Sequence, residues 1–378
     1  MSTSTDLSPV PPVDLTAERA ELGGALPEAI QRVLESNAYV LGPEVQRFEE
    51  EFATYQRARH AVGVASGTDA LVVGLKALGL QPGQGVLTSP FTFFASAGAV
   101  AWSGARPQLC DVELDTGLLD LERAREAVDE HTRFLLPVHL YGQLVDVRGF
   151  RALADERDLV LFEDAAQAHG AERDGVRAGE LGNAAAFSFY PTKNLGAAGE
   201  GGAVLCNDEC ILGALHRLRD HGSTAKYVHD EIGTNTRLQA MQAAVLSLKL
   251  PHLDGWNERR RRTAAAYDAA FAASDAVTPL VVRPGSTHVY HQYAVRVHGD
   301  VSRDKVLEGL HAQRIFAAVH YPRPVHIQKA AADWGYREGQ FPAAEQLARE
   351  VLCLPVHPFL SEGDVERVCS TVRALAEA

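Results

Sequence analysis

Between Ala61 and Leu205 the sequence alternates short apolar runs with longer stretches of helical character, the runs being Ala61–Val64, Gly85–Thr88, Phe134–Val138, Leu159–Phe162, Ala184–Phe189 and Ala203–Leu205. Runs this short, bounded by Gly, Pro and Asp and apolar on both faces, read as strands buried on both sides. Strands of that kind, spaced by helices, build a mostly parallel α/β sheet. An open sheet of this type binds ligands at the carboxyl ends of its strands. The residues just beyond each run are therefore where chemistry is expected.

With 378 residues the chain is long enough for two domains. The strand–helix alternation gives way near Leu250-Pro251 to a charged helical stretch, Trp256 to Phe271, and then to a smaller α+β pattern. We expect residues 1–250 to form a large cofactor-binding domain with an N-terminal arm, and residues 251–378 a small C-terminal domain. The Ser/Thr/Pro-rich opening is expected to be loosely held until about Ala17. Within the helical stretch, Arg259-Arg260-Arg261-Arg262 reads as a solvated helix face.

The net charge of -13 disfavours a nucleic-acid partner. No apolar run approaches the roughly 20 residues needed to span a bilayer, and Met1-Ser2-Thr3-Ser4-Thr5 lacks the basic-then-apolar order of a signal peptide. We expect a cytoplasmic protein without a membrane partner. The five cysteines, Cys110, Cys206, Cys210, Cys353 and Cys369, are odd in number and lack metal-knuckle spacing, so neither a disulfide framework nor a metal site is expected. Cys206 and Cys210 read as unpaired thiols at a strand end and in a loop.

Three strand ends carry candidate chemistry. In Phe187-Ser188-Phe189-Tyr190-Pro191-Thr192-Lys193-Asn194-Leu195-Gly196, a lysine follows a buried strand and precedes a glycine-rich return, so its amine can project from the carboxyl edge of the sheet. The glycines precede a strand instead of joining a strand to a helix, which removes a dinucleotide or P-loop reading. In Leu159-Val160-Leu161-Phe162-Glu163-Asp164-Ala165-Ala166-Gln167, acidic residues end an apolar strand. Asp164 there can pair with a pyridinium nitrogen or cap a following helix, while Glu163 points to the opposite face. In Val64-Ala65-Ser66-Gly67-Thr68-Asp69, a strand runs through small and hydroxylated residues into a helix, a pattern suited to a phosphate and equally to simple capping.

Taken together these segments resemble the sugar aminotransferases of the DegT/DnrJ/EryC1/StrS family, pyridoxal-phosphate enzymes of fold type I. The resemblance extends from Leu41-Gly42-Pro43-Glu44-Val45 through Pro137-Val138-His139-Leu140-Tyr141-Gly142-Gln143 and Glu163-Asp164-Ala165-Ala166-Gln167. It continues in Gly233-Thr234-Asn235-Thr236-Arg237, Gln242-Ala243-Ala244 and His320-Tyr321-Pro322. It implies an aspartate-aminotransferase-like architecture, with a mostly parallel seven-stranded sheet in the large domain and a smaller α+β domain. It also implies that Lys193 carries pyridoxal 5'-phosphate covalently and shuttles the proton, and that Asp164 faces the pyridine nitrogen. Gln167 would lie by the phenolic oxygen and Phe93 on the ring face, although Phe93 alone reads as a core residue. Gly67, Thr68 and Ser188 would cradle the phosphate, with Asn235 reaching across from the other subunit of a homodimer.

The reaction implied takes an amino group from L-glutamate and gives it to a nucleotide-linked keto-sugar. Family members that dehydrate sugars place histidine where this chain has Lys193, so the lysine favours amino transfer. The run Tyr190-Pro191-Thr192-Lys193 and His320-Tyr321-Pro322-Arg323-Pro324 are most similar to enzymes that aminate C3 of a 3-keto-6-deoxyhexose, with dTDP as the expected nucleotide. Amination at C4 is the neighbouring alternative. Thr192 and Thr234 depart from the residues usual at those positions. Tyr190, Arg237, His320 and Tyr321 are expected substrate contacts; His320 and Tyr321 read equally well as a capping histidine and a packed tyrosine, and for Arg237 a diphosphate and a local carboxylate are equally good partners.

Overall fold

The computed structural model describes residues 8–377. Seven strands, β1 (His60–Val64), β2 (Gly85–Thr88), β3 (Arg106–Leu109), β4 (Thr132–Leu135), β5 (Val160–Asp164), β6 (Ala184–Ser188) and β7 (Gly202–Cys206), form one sheet in the order β1-β7-β6-β5-β4-β2-β3. β7 runs antiparallel to both β1 and β6, and the remaining pairs are parallel. Side chains alternate between two cores. Ala61, Leu87, Leu135, Leu161 and Leu205 point to one face, and Val62, Val86, Phe134, Phe162 and Val204 to the other. Burial on both faces explains why these strands read as unbroken apolar runs. By the same alternation Glu163 and Asp164, adjacent in β5, face opposite ways.

β3 has no counterpart among the apolar runs. Its sequence, Arg106-Pro107-Gln108-Leu109, is polar and contains a proline, which a strand tolerates at a sheet edge where one side needs no ladder donor.

A second, antiparallel sheet joins β8 (Val277–Pro279), β9 (Tyr293–Val297) and β10 (Val351–Leu354) in that order. With the helices Leu253–Phe271, Arg303–Ala312 and Glu362–Ala376 it encloses a third core containing Tyr267, Val295, Leu310, Leu352 and Val368. Near residue 250 no loose linker intervenes. The helix Ala240–Lys249 passes through a single 3-10 turn, Leu250–His252, into the helix Leu253–Phe271.

Three expectations are corrected. Val10 is buried in the third core and pairs with Ile315, so the chain is held from Val10 on, before Ala17, while residues 1–7 lie outside the described residues. The arginine run is solvated on one side only. Arg259 pairs with Glu21, and Arg261 and Arg262 with Glu258, whereas Arg260 is buried and donates to the carbonyls of Tyr290 and Val356. Burial pulls the Arg260 guanidinium down to about 10. All five cysteines are free, and Cys210 lies in the helix Glu209–Leu218, not in a loop. Among the described residues no helix is long and apolar enough to cross a membrane, and no cluster of His, Cys, Asp or Glu could hold a metal ion.

Candidate active site

The carboxyl ends of β1, β5 and β6 open onto one cleft of about 530 Å³. Its wall brings together Gly67, Thr68, Phe93, Asp164, Gln167, Ser188, Tyr190, Lys193, His320 and Tyr321.

Asp164 ends β5 and is almost fully buried. Its Oδ2 accepts a hydrogen bond from Ser96 Oγ at 2.7 Å, Ser96 in turn meets Thr92 Oγ1 at 3.0 Å, and Oδ1 accepts from the Ala166 N–H at 3.2 Å. Burial pushes this carboxyl above its ordinary value, against the opposing pull of Ser96, the Ala166 N–H and the Lys193 ammonium.

Lys193 sits on the turn after β6. The turn is closed by the Lys193 N–H to Tyr190 O and the Ala197 N–H to Phe189 O, both 2.8 Å. Gly196 is required here, since a Cβ on it would lie 2.4 Å from Pro191 O. Lys249 Nζ donates to Gly196 O at 2.7 Å while pairing with Glu18, which ties the turn to the first helix, Leu15–Leu22. Among the described residues the Lys193 Nζ has no hydrogen-bonding partner. Desolvation pulls the amine down to about 8, and Asp164 opposes this. In cofactor-free protein, acylation of Lys193 should therefore rise with pH through about 8, far below the 10.5 of an ordinary lysine. The unfolded chain binds this proton more readily, so cofactor-free protein should also gain stability from about pH 8 to 10.5. Residue-resolved labelling by mass spectrometry and melts across that window check both.

At the start of the helix Gly67–Ala77, Ser66 caps by accepting from the Asp69 N–H at 3.1 Å. The first backbone N–H groups of a helix lack intrahelical acceptors and suit an anion. Ser188 closes against them so tightly that a Cβ on Gly67 would lie 2.5 Å from Ser188 Cβ. Gln167 receives the Tyr141 N–H at 2.6 Å and donates to Tyr321 Oη at 3.2 Å. Phe93 is not a core residue: it is 58% exposed at the mouth, its ring 6.0 Å from that of Tyr321. A buried carboxylate, an unpaired amine with a lowered pKa and a helix-start anion cradle within one cleft are the donor set that pyridoxal phosphate requires.

The DegT/DnrJ/EryC1/StrS aminotransferase family model matches residues 21–373. The chain belongs to that family. It is 45% identical to the dTDP-3-amino-3,4,6-trideoxy-alpha-D-glucose transaminase of Streptomyces venezuelae over 100% of this chain and 99% of the relative. It is 43% identical to a protein of Geobacillus stearothermophilus named as a pleiotropic regulatory protein, over 96% and 97% of the two chains. The crystal structure of S. venezuelae DesV in complex with a ketimine intermediate superposes with a TM-score of 0.95, at 45% identity over 98% of this chain and 99% of that one. The family is one of pyridoxal-phosphate-dependent aminotransferases, and the seven-stranded architecture is the one its members share.

Two expected site residues of this aminotransferase lie outside the cleft of their own chain. Arg237 pairs with Asp220 Oδ1 at 2.8 Å, the carboxylate alternative of the two weighed from sequence. Asn235 is exposed and bridges Asp220 through the backbone.

Sequence reasoning missed the support behind the cleft. Glu163 is fully buried and accepts from the Gly179 N–H at 2.9 Å, the Gly182 N–H at 2.8 Å and His139 Nε2 at 2.8 Å. The signal available was a carboxylate in an otherwise apolar strand, since such a group must find partners. Glu163→Ala would strand all three, and we expect a loss of about 3 kcal/mol or more in chemical denaturation. Ser96 and the pair Asn194–His291 were missed as well. Ser96, on the helix Ala95–Trp102, and His291, in a loop, are distant in sequence from the motifs they support, whereas Asn194 adjoins Lys193 and only its partner is set by packing.

Proposed function

We propose that this aminotransferase moves the amino group of L-glutamate to C3 of a dTDP-linked 3-keto-6-deoxyhexose in amino-sugar synthesis, with pyridoxal 5'-phosphate carried on Lys193. The apposition of Lys193 and Asp164 in one buried cleft carries the reading. The name of the Streptomyces relative supports the sugar and its nucleotide, and the intact lysine and carboxylate speak for catalysis over a purely regulatory role.

When bound, the cofactor supplies an electron-withdrawing ring that acidifies the carbon bearing the transferred nitrogen. The protein does the rest. Gly67 and Thr68 would bind the phosphate through the helix start, helped by the Ser188 hydroxyl. The Asp164 carboxylate, fixed by Ser96 and the Ala166 N–H, would keep a proton on the pyridine nitrogen of the bound cofactor. Gln167, braced by Tyr141 and Tyr321, would lie by the phenolic oxygen. Phe93, at the mouth of the cleft, would cover a ring face. The Lys193 amine, which burial lowers to about 8, would take up and return a proton at the carbon bearing the transferred nitrogen. Tyr190, His320 and Tyr321 line the remaining space, where the sugar would lie.

The phosphate cradle is completed, in this reading, by Asn235 of a second copy. Thr68 lines both the cleft and an adjoining apolar groove formed with Val72, Phe94, Trp102, Leu218 and Ile232, in which Trp102 and Ile232 are more than 80% exposed. Asn235 follows on the same segment as Ile232. The protein should be dimeric by light scattering, and Asn235→Ala should weaken cofactor retention about tenfold in dialysis.

Rates with purified 3-keto and 4-keto nucleotide sugars test the regiochemistry. Glutamate-dependent amination of the 3-keto substrate is expected, and amination of the 4-keto sugar alone would overturn the proposal.

A further inference from the structure

Beside Lys193 lies a chain of side-chain amides whose polarity can be worked out from fixed ends. Two backbone carbonyls can only accept: His169 O receives Asn257 Nδ2 at 3.0 Å, and Val289 O receives Asn194 Nδ2 at 2.8 Å. With its Nδ2 so placed, Asn257 presents Oδ1 to the second N–H of Asn194, at 2.8 Å. Both protons of the Asn194 amide are then used, and Asn194 Oδ1 faces His291 Nδ1 at 3.2 Å. An oxygen can only accept, so Nδ1 of His291 must carry the proton. Asn194 and Asn257 are themselves buried, which leaves the network no water to reverse it.

His291 also lines the cleft. With its proton on Nδ1, a neutral imidazole has a lone pair on Nε2, and that atom has no partner among the described residues. Burial, together with the positive charge of Lys193 and Arg260, holds the ring far below its ordinary pKa and therefore neutral. The charged or titratable groups sharing the cleft are Lys193, Asp164, Glu200, Tyr190, His320 and Tyr321.

We propose that His291 is a specificity-determining residue, pinned by Asn194 as a hydrogen-bond acceptor for a hydroxyl of the sugar substrate. The inference rests on the keto-sugar reading above. A neutral ring offering only a lone pair repels the carboxylates of the amino donor and suits an O–H. Asn194 directly follows Lys193, so the acceptor is registered to the amine by one peptide unit, and a sugar held by Nε2 is held relative to the reacting nitrogen. Sites that bind a substrate hydroxyl reject analogues lacking it because a buried polar group is left unpaired.

Histidine-labelled full-length holoprotein, examined by long-range 1H–15N correlation, should show His291 as the Nδ1–H tautomer, with its signal assigned by loss in His291→Phe. The two half-reactions are then followed separately by cofactor absorbance. His291→Phe should slow the sugar half-reaction about tenfold more than the glutamate half-reaction. Removing the hydroxyl next to the keto carbon should cost the unaltered enzyme about tenfold and the variant almost nothing, as a double-mutant cycle requires. His291→Gln, which keeps a polar group, serves if the phenylalanine variant does not fold, and should retain part of the discrimination. A proton on Nε2, equal slowing of both half-reactions, or an undiminished cost of hydroxyl removal in the variant would overturn the proposal while leaving the reaction intact. Failure of the unaltered protein to aminate any keto-sugar would overturn both.

Discussion

Lys193→Ala is expected to lower glutamate-dependent amination by roughly 10⁴-fold or more, because one side chain serves both as covalent anchor and as the group that moves the proton. The turn that carries it is closed by backbone bonds and by Lys249, none of which involves the lysine side chain. Compared without cofactor at about pH 10.5, where the burial cost of the ammonium has nearly gone, the variant should therefore melt close to the unaltered protein. Steady-state rates measured beside melting curves separate the two effects. A variant retaining even a tenth of the activity would remove Lys193 from the chemistry.

Asp164→Asn should cost roughly 10²–10³-fold, the range found when a fixed charge aimed at a reacting group is removed. Asparagine keeps the shape of the side chain and can still accept from Ser96, so the loss isolates the charge. The same substitution carries a second signature. Asp164 is the group that raises the Lys193 pKa against burial. With it neutral, the amine in cofactor-free protein should titrate below about 8, as read by acylation against pH. A rate loss without that displacement would mean that Asp164 and Lys193 do not share a cleft.

Most of the strands were legible because burial on both faces leaves an uninterrupted apolar signal, and their ends located Lys193, Asp164 and Gly67. β3 was not, because an edge strand can carry Arg106 and Pro107 without cost to the ladder. Among the site residues, those next to a strand end could be found from sequence, since the sheet itself orders them. Those that act by reaching across could not: Ser96 beneath Asp164, His139 beneath Glu163, and Asn194 against His291 are pairings set by tertiary packing. Arg237 shows the converse. A conspicuous charge beside a recognisable motif has found Asp220, and no local pattern distinguishes that partner from a diphosphate. Arg260 was hidden within a run of four arginines whose composition says surface, although one helical position in the run faces the core.

Lys193 as the amine that holds the cofactor can be checked by supplying pyridoxal 5'-phosphate, reducing with borohydride, digesting the protein and mapping the adduct by mass spectrometry. Loss of the visible absorbance and a reduced-cofactor adduct on the peptide containing Lys193 are expected. An adduct on another lysine, or none in protein that still aminates the keto-sugar, would contradict it.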